Sequence, residues 1–192
     1  MAFQNAVDIC NTALLIVGAE EITSFDDETR EAKVCNQMYE TILDATLQKF
    51  PWRFSLTTVQ LAQLTNPPEA ADEFGFDNAY QLPSDSLRVI RTDTATDDYL
   101  IFGNILLSNE LEVRVEYQFS VSEDQFPAYF RRALEWEIAA VLAMTLEDQA
   151  GKYQLLQNKA DRELAIAKNI DSQEQPVADV GENNFLFTFV RT

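Results

Sequence analysis

Apolar residues recur every three or four positions in the first fifty residues of the chain. Between residues 3 and 17 they mark one buried stripe, and Gly18 follows where a glycine would cap a helix. A second stripe occupies residues 32–50 and ends there, because the ring of Pro51 cannot continue a helix. The pattern predicts two amphipathic helices near the start of the chain.

Helical spacing returns near residue 127. Pro127 suits a first helical turn, and apolar positions from there to Met144 are dense enough to indicate a helix buried on most sides. Gly151 is predicted to separate it from a last helix. In that helix a narrower apolar stripe is predicted to face the core, with charged residues on a solvated face; the stripe comprises Leu155, Leu156, Ala160, Leu164 and Ala167, and the face comprises Lys159, Asp161, Arg162 and Glu163.

Between these helical regions no long helical spacing survives, and prolines and a glycine divide the chain into short pieces. Gly103-Asn104 separates two short apolar runs and is typical of a tight hairpin turn. Strand patterns occur at residues 52–56, 87–91, 99–102, 105–107 and 111–117. These patterns predict a small antiparallel sheet.

The predicted fold class is α+β, mainly an α-helical four-helix bundle with a small antiparallel β insertion and an extended C-terminal segment. Residues 1–50 and 126–172 are assigned to the bundle and residues 51–125 to the insertion domain. Residues 173–192 are assigned to an extended C-terminal arm.

Three phenylalanines alternate in the predicted arm. Phe185, Phe187 and Phe189 would share one face of an extended strand, and a strand that follows a polar linker need not reach its own core. Two interpretations stay open: the strand closes the sheet of its own chain, or it adds to a neighbour's sheet or lies in a partner's groove. On the second interpretation these residues are a candidate partner interface.

The composition argues against most enzymatic chemistry. The chain has no histidine, which removes the commonest general base and the commonest metal ligand. Its 5 glycines form no phosphate-binding loop. Cys10 and Cys35 fall in apolar helical patterns and are predicted to be reduced core residues. No catalytic residue, cofactor or metal site is therefore predicted.

Weaker chemical signals have plainer explanations. The acid-rich segment 93–98 resembles a calcium loop only faintly, because the glycine and the final glutamate of such a loop are missing, and a solvated loop is favoured. Trp52 and Trp136 sit in apolar patterns, so core or interface positions are favoured over ligand stacking. Paired carboxylates for glycosidic cleavage are permitted by the 32 acidic residues but not supported by any spacing.

The net charge of −18 argues against a general nucleic-acid clamp, since phosphate binding depends on Lys and Arg and only 14 such residues are present. Three roles would each explain the excess of acidic residues: solubility, imitation of DNA, or a wall to which passing DNA does not adhere. The first residues lack the pattern of a signal peptide, and no apolar stretch is long enough to span a membrane. We therefore expect synthesis in a cytosol and no membrane partner.

Several short segments occur in an order that resembles the tail tubular protein A family, the adaptors or head-to-tail connectors of short-tailed bacteriophages (podoviruses). The resemblance covers about residues 3–170. It is carried by the segments 15–22, 32–39, 50–54 (FPWRF), 74–76 (FGF) and 80–88 (YQLPSDSLR), by the strand that ends at Tyr117 and by the helix over 130–146.

The resemblance implies a structural protein of the virion with no enzymatic activity. It implies a dodecameric ring that joins the portal protein to the tail nozzle protein, with a central channel through which DNA passes without sequence-specific binding during genome ejection. It also implies that C-terminal segments extend toward the portal. Two alternatives stay open: an acidic protein that imitates DNA, and a glycosidase that uses two carboxylates.

Overall fold

The computed structural model describes residues 5–65, 68, 74–93, 98–146 and 150–173. Within these residues the chain forms four α-helices and seven β-strands. The helices are α1 (Ala6–Val17), α2 (Arg30–Gln48), α3 (Ala128–Leu146) and α4 (Ala150–Gln173). The strands are β1 (Leu56–Gln60), β2 (Ala62–Gln63), β3 (Asn78–Gln81), β4 (Ser86–Thr92), β5 (Tyr99–Phe102), β6 (Ile105–Ser108) and β7 (Arg114–Phe119).

Local interactions set both ends of α1. The backbone N–H of Asp8 donates to Oδ1 of Asn5 at 3.0 Å, and the N–H of Asn5 donates to a carboxylate oxygen of Asp8 at 3.1 Å, which forms a capping box. Gly18 ends the helix with a φ of 81°, in the left-handed region that glycine adopts without strain. The predicted cap at Gly18 is confirmed.

Helix α3 is the centre of the helical layer, since it packs against α1, α2 and α4. Its side chains Phe130, Leu134 and Ile138 are buried, as its dense apolar pattern predicts. Cys10 on α1 and Cys35 on α2 are buried free thiols, so the prediction of core cysteines is confirmed. The hydrogen bond between these two thiols, together with burial, raises the pKa of Cys10 well above its usual range.

The strands form two antiparallel sheets. One has the order β1-β7-β4 and the other the order β2-β3-β6-β5. Val115 and Tyr117 of the first sheet and Tyr80 and Leu106 of the second belong to one buried apolar cluster, so the sheets share a core of their own. The hairpin predicted around Gly103 is confirmed, with Gly103 at a φ of 61° between β5 and β6.

The predicted fold class is wrong in its proportions. The protein is a mixed α+β fold with four helices and two antiparallel sheets, not a mainly helical bundle with a small β insertion. A small single sheet would bury apolar residues only against the helices. Here the strands also bury them between two sheets, which requires more strands than the alternating patterns reveal.

Several element boundaries also differ from the predictions. Residues 53–55 form a short 3₁₀ helix where a strand was predicted, and the last strand begins at Arg114, not at Leu111. Gly151 lies inside α4. Strands β1, β2 and β3 were not predicted, because β1 has mostly exposed side chains and β3 is buried at three consecutive positions without alternation.

Trp52, in the segment between α2 and β1, packs into the helical core. Its side chain is fully buried, its ring packs edge-on against Phe50 and Phe130 with centroids 5.1 Å from each, and its indole N–H donates to the carbonyl of Thr46 at 3.2 Å. The prediction that Trp52 is a core residue is confirmed. The helical core also includes Val121 and Phe126, so it extends past the strands; the predicted domain boundaries stay a prediction.

Candidate interaction surfaces

The candidate interface residues Phe185, Phe187 and Phe189 lie outside the described residues. Their role stays a prediction. The structure does describe the helix that leads to them, since α4 ends at Gln173.

Helix α4 carries large apolar side chains that face solvent. Leu155 is 69% exposed, Ile166 is 43% exposed and Ile170 is 40% exposed. With Lys159 and Arg162 they occupy positions i, i+4, i+7, i+11 and i+15, which lie on one face of a helix. We call these five residues the α4 stripe. Sequence reasoning placed Leu155 in the buried stripe, which is wrong.

Lys159 of the α4 stripe is held in place by neighbouring side chains. Lys159 lies 5.5 Å from the ring centroid of Trp136, a cation–π contact, and its Nζ donates to Glu163 at 2.6 Å. Nε of Arg132 donates to the other carboxylate oxygen of Glu163 at 2.9 Å. Glu163 is therefore buried beneath two cations and does not belong to the predicted solvated face.

The environment of Glu163 predicts a pH-dependent contribution to stability. Its hydrogen bond with Lys159, assisted by Arg132, holds the pKa of the carboxyl below its usual range. A depressed pKa in the folded state stabilises the protein above the carboxyl pKa of the unfolded chain, and this stabilisation is lost as pH falls through the folded-state value.

We expect Glu163→Gln to lower the free energy of unfolding by about 1 kcal/mol at neutral pH, because one partly exposed charge network is removed. The difference from wild type should vanish as pH falls below the usual glutamate range. Urea unfolding at several pH values measures it, with exposed Glu112→Gln as the control. A difference that stays constant down to acid pH would contradict the assigned role of Glu163.

A second surface is a cleft beside α2. Its volume is about 660 Å³, and it is bounded by α2, the start of α1, the loop before α2 and the segment 120–123. Glu40, Asp44 and Glu123 supply acidic side chains, and none of the described residues in its lining is a Lys or Arg. The apolar side chains in its lining are Ala6, Phe25, Tyr39, Leu43 and Val121. We call it the α2 cleft.

Tyr39 fixes one wall of the α2 cleft. Its hydroxyl donates to a carboxylate oxygen of Glu123 at 3.2 Å, and its ring packs against Phe25 with centroids 6.0 Å apart. Burial and the nearby charge of Glu123 raise the pKa of Tyr39 far above its usual range, so the hydroxyl stays protonated at neutral pH. The position of Glu123 in the cleft is thus set by α2 itself.

Asp171 anchors the end of α4, close to where the C-terminal segment begins. Its side chain is 1% exposed and accepts a hydrogen bond from the Tyr129 hydroxyl at 2.8 Å and others from the backbone N–H of Arg53 at 3.2 and 3.3 Å. Nε of Arg53 also donates to the carbonyl of Asp171 at 3.0 Å. These contacts tie α4 to the segment between α2 and β1 and fix the point from which the predicted arm leaves.

Among the described residues, no group of three Cys, Asp or Glu side chains is placed to hold a metal ion. Asp93, the first residue of the acid-rich segment 93–98, instead accepts a hydrogen bond from the backbone N–H of Arg114 at 2.7 Å, while residues 94–97 lie outside the described part. None of the helices in the described ranges has the length and apolar character needed to cross a bilayer.

The α4 stripe and the α2 cleft are the surfaces that sequence reasoning missed. The helical spacing of Leu155, Ile166 and Ile170 is visible in the sequence. The adjacent face of α4 is also apolar, however, so the sequence does not show which of the two faces is buried. The cleft joins residues from distant segments, which no local pattern reveals. No protein-family model matches the chain, and comparison with curated proteins gives no match.

Proposed function

We propose that this chain is a non-enzymatic structural adaptor of a short-tailed phage, which assembles into a ring between the portal and the tail nozzle. The order of sequence segments that resembles tail tubular protein A supports this family. The observation that carries the proposal is the α4 stripe, because a monomer would leave Leu155, Ile166 and Ile170 in water at a cost in hydrophobic free energy.

The charge of the chain also suits a ring with a DNA channel. A duplex that passes an acidic wall gains nothing from counterion release, so it slides without adhering. The chain has 32 acidic and 14 basic residues, so acidic residues remain unpaired even if every basic residue pairs with one. An enzyme or a nucleic-acid clamp would not need this combination of exposed apolar helix and surplus acid.

The test is assembly of the full chain, alone and with the portal protein of the same phage. We expect particles of many times the 21.8 kDa chain mass by light scattering, and ring-shaped particles by negative-stain electron microscopy. Binding should join these rings end-on to the portal. A protein that stays monomeric with and without portal would refute the adaptor function.

Deleting residues 175–192 is expected to leave the fold intact and to weaken assembly with the portal. Every described residue of the helical core and of the sheet core precedes the deletion, so we expect the unfolding midpoint to change little. Circular dichroism and portal co-sedimentation measure the two effects. A second variant tests the phenylalanines alone. The full-length chain that combines Phe185→Ser, Phe187→Ser and Phe189→Ser should show the same assembly defect as the deletion. Unfolding of the deleted protein would instead assign the segment to its own core.

A further inference from the structure

We propose that successive copies of this chain join head to tail, with the α4 stripe of one copy seated in the α2 cleft of the next. The inference rests on the proposed ring and names the contact that would build it. The occupant of the cleft is thus a second copy of the same chain. The argument rests on charge, on apolar surface and on the separation of the two surfaces.

The charges of the two surfaces are complementary. The α4 stripe contributes Lys159 and Arg162, and its neighbouring acid Glu163 is buried and already paired with cations. The α2 cleft contributes Glu40, Asp44 and Glu123. In a molecule with a net charge of −18, acidic surface on a second copy would repel the acidic α2 cleft, whereas the cations of the α4 stripe would be attracted to it.

The apolar parts of the two surfaces are also complementary. Leu155, Ile166 and Ile170 are exposed at helical spacing, which is the pattern of anchors in helix-in-groove recognition. The α2 cleft has apolar side chains in its lining, including Phe25 and Leu43, and its volume of about 660 Å³ accommodates several side chains. Docking would therefore bury the residues that α4 leaves in water.

The two surfaces belong to different elements, which determines the kind of assembly. Both α2 and α4 pack against α3, and α4 provides none of the side chains that line the α2 cleft. A contact between two different surfaces is heterologous, and repeating it produces a closed ring or an open filament. A symmetric contact of two α4 stripes would instead place Lys159 and Arg162 against their own copies and produce only a dimer.

Charge reversal tests the contact in the full-length protein. The stripe variant is Arg162→Glu with Ile166→Asp, and the cleft variant is Glu40→Lys with Asp44→Lys. Each is expected to weaken self-association by about tenfold or more, because an opposite-charge contact becomes a like-charge contact. Matched controls at exposed positions near β7 are Arg114→Glu and Glu112→Lys, which should assemble as wild type. Circular dichroism verifies that every variant folds.

Mixing the two variants distinguishes a head-to-tail contact from a loss of folding. The stripe variant retains an intact cleft and the cleft variant retains an intact stripe, so their mixture should form one-to-one heterodimers, which can extend further only through the weaker pair of reversed charges. Native mass spectrometry detects them. A chain that combines Arg162→Glu with Glu40→Lys should recover part of the assembly, since the reversed charges again attract.

The outcomes separate this inference from the proposed function. If both variants still form rings like those of the wild type, the proposed contact is wrong and the adaptor function is unaffected. If the variants abolish self-assembly but the wild-type protein does not bind the portal, the contact is supported and the adaptor function is refuted. A wild-type chain that never assembles would overturn both, and a mixture that forms no heterodimer would overturn the contact.

Discussion

Replacing Trp52 with alanine is expected to lower the free energy of unfolding by about 3–5 kcal/mol, the range for removing a large aromatic side chain from a core. The ring is fully buried against Phe50 and Phe130, and its N–H satisfies the carbonyl of Thr46 near the end of α2. Alanine would leave a cavity and remove one of the two donors to that carbonyl, the other being the backbone N–H of Lys49. Urea unfolding at fixed protein concentration measures the loss.

Two controls identify the cause of the Trp52 effect. Trp52→Phe keeps an aromatic ring and should cost less, with the remaining loss due to the hydrogen bond and the smaller ring. Phe102→Ala removes an exposed aromatic residue and should change stability little. If Trp52→Ala unfolds at the same urea concentration as wild type, the Trp52 ring does not stabilise the helical core.

Replacing Gln118 with leucine is expected to lower the free energy of unfolding by about 1–3 kcal/mol, through the loss of buried hydrogen bonds. The side-chain amide of Gln118, on β7, donates to the carbonyls of Leu47 and Phe50 at 2.8 and 2.9 Å. It also donates to the Ser55 hydroxyl at 3.0 Å. Leucine has similar volume but no donor, so the two carbonyls would keep only their backbone donors.

The measurement for Gln118 is again urea unfolding, with Gln48→Leu as the matched control because Gln48 is exposed on α2. We also expect Gln118→Leu to loosen the attachment of β7 to α2, which hydrogen exchange at the end of α2 detects as faster exchange. Equal stability of Gln118→Leu and Gln48→Leu would show that the buried amide contributes nothing.

Both predictions concern the segment between α2 and β1. Trp52, Gln118 and Asp171 each connect this segment to a different element, respectively α3, β7 and the end of α4. The segment therefore holds these three elements in a fixed relation. The proposed adaptor would need such a relation to transmit force between the structures on its two sides.

The helices could be predicted from sequence because their signals are local. The apolar spacing of α1, its cap at Gly18 and the stop at Pro51 after α2 act within a few residues of the chain. The β5–β6 hairpin was predictable for the same reason, since Gly103-Asn104 defines its turn. Strands β1 and β3 were not, because their partners lie up to 62 positions away, as for Leu56 and Gln118, and their side-chain patterns are short or mostly polar.

The sequence by itself determined the helical segments, the reduced core cysteines, the burial of Trp52 and the strong negative charge, since these depend on residue type and on spacing along one element. Only the tertiary structure decided that two sheets share a core, that Glu163 is buried under Lys159 and Arg132, and that α4 exposes one apolar face. Which face of a helix becomes buried depends on where its neighbours pack, and among the described elements α3 makes the main contact with α4 and covers one of its two adjacent apolar faces.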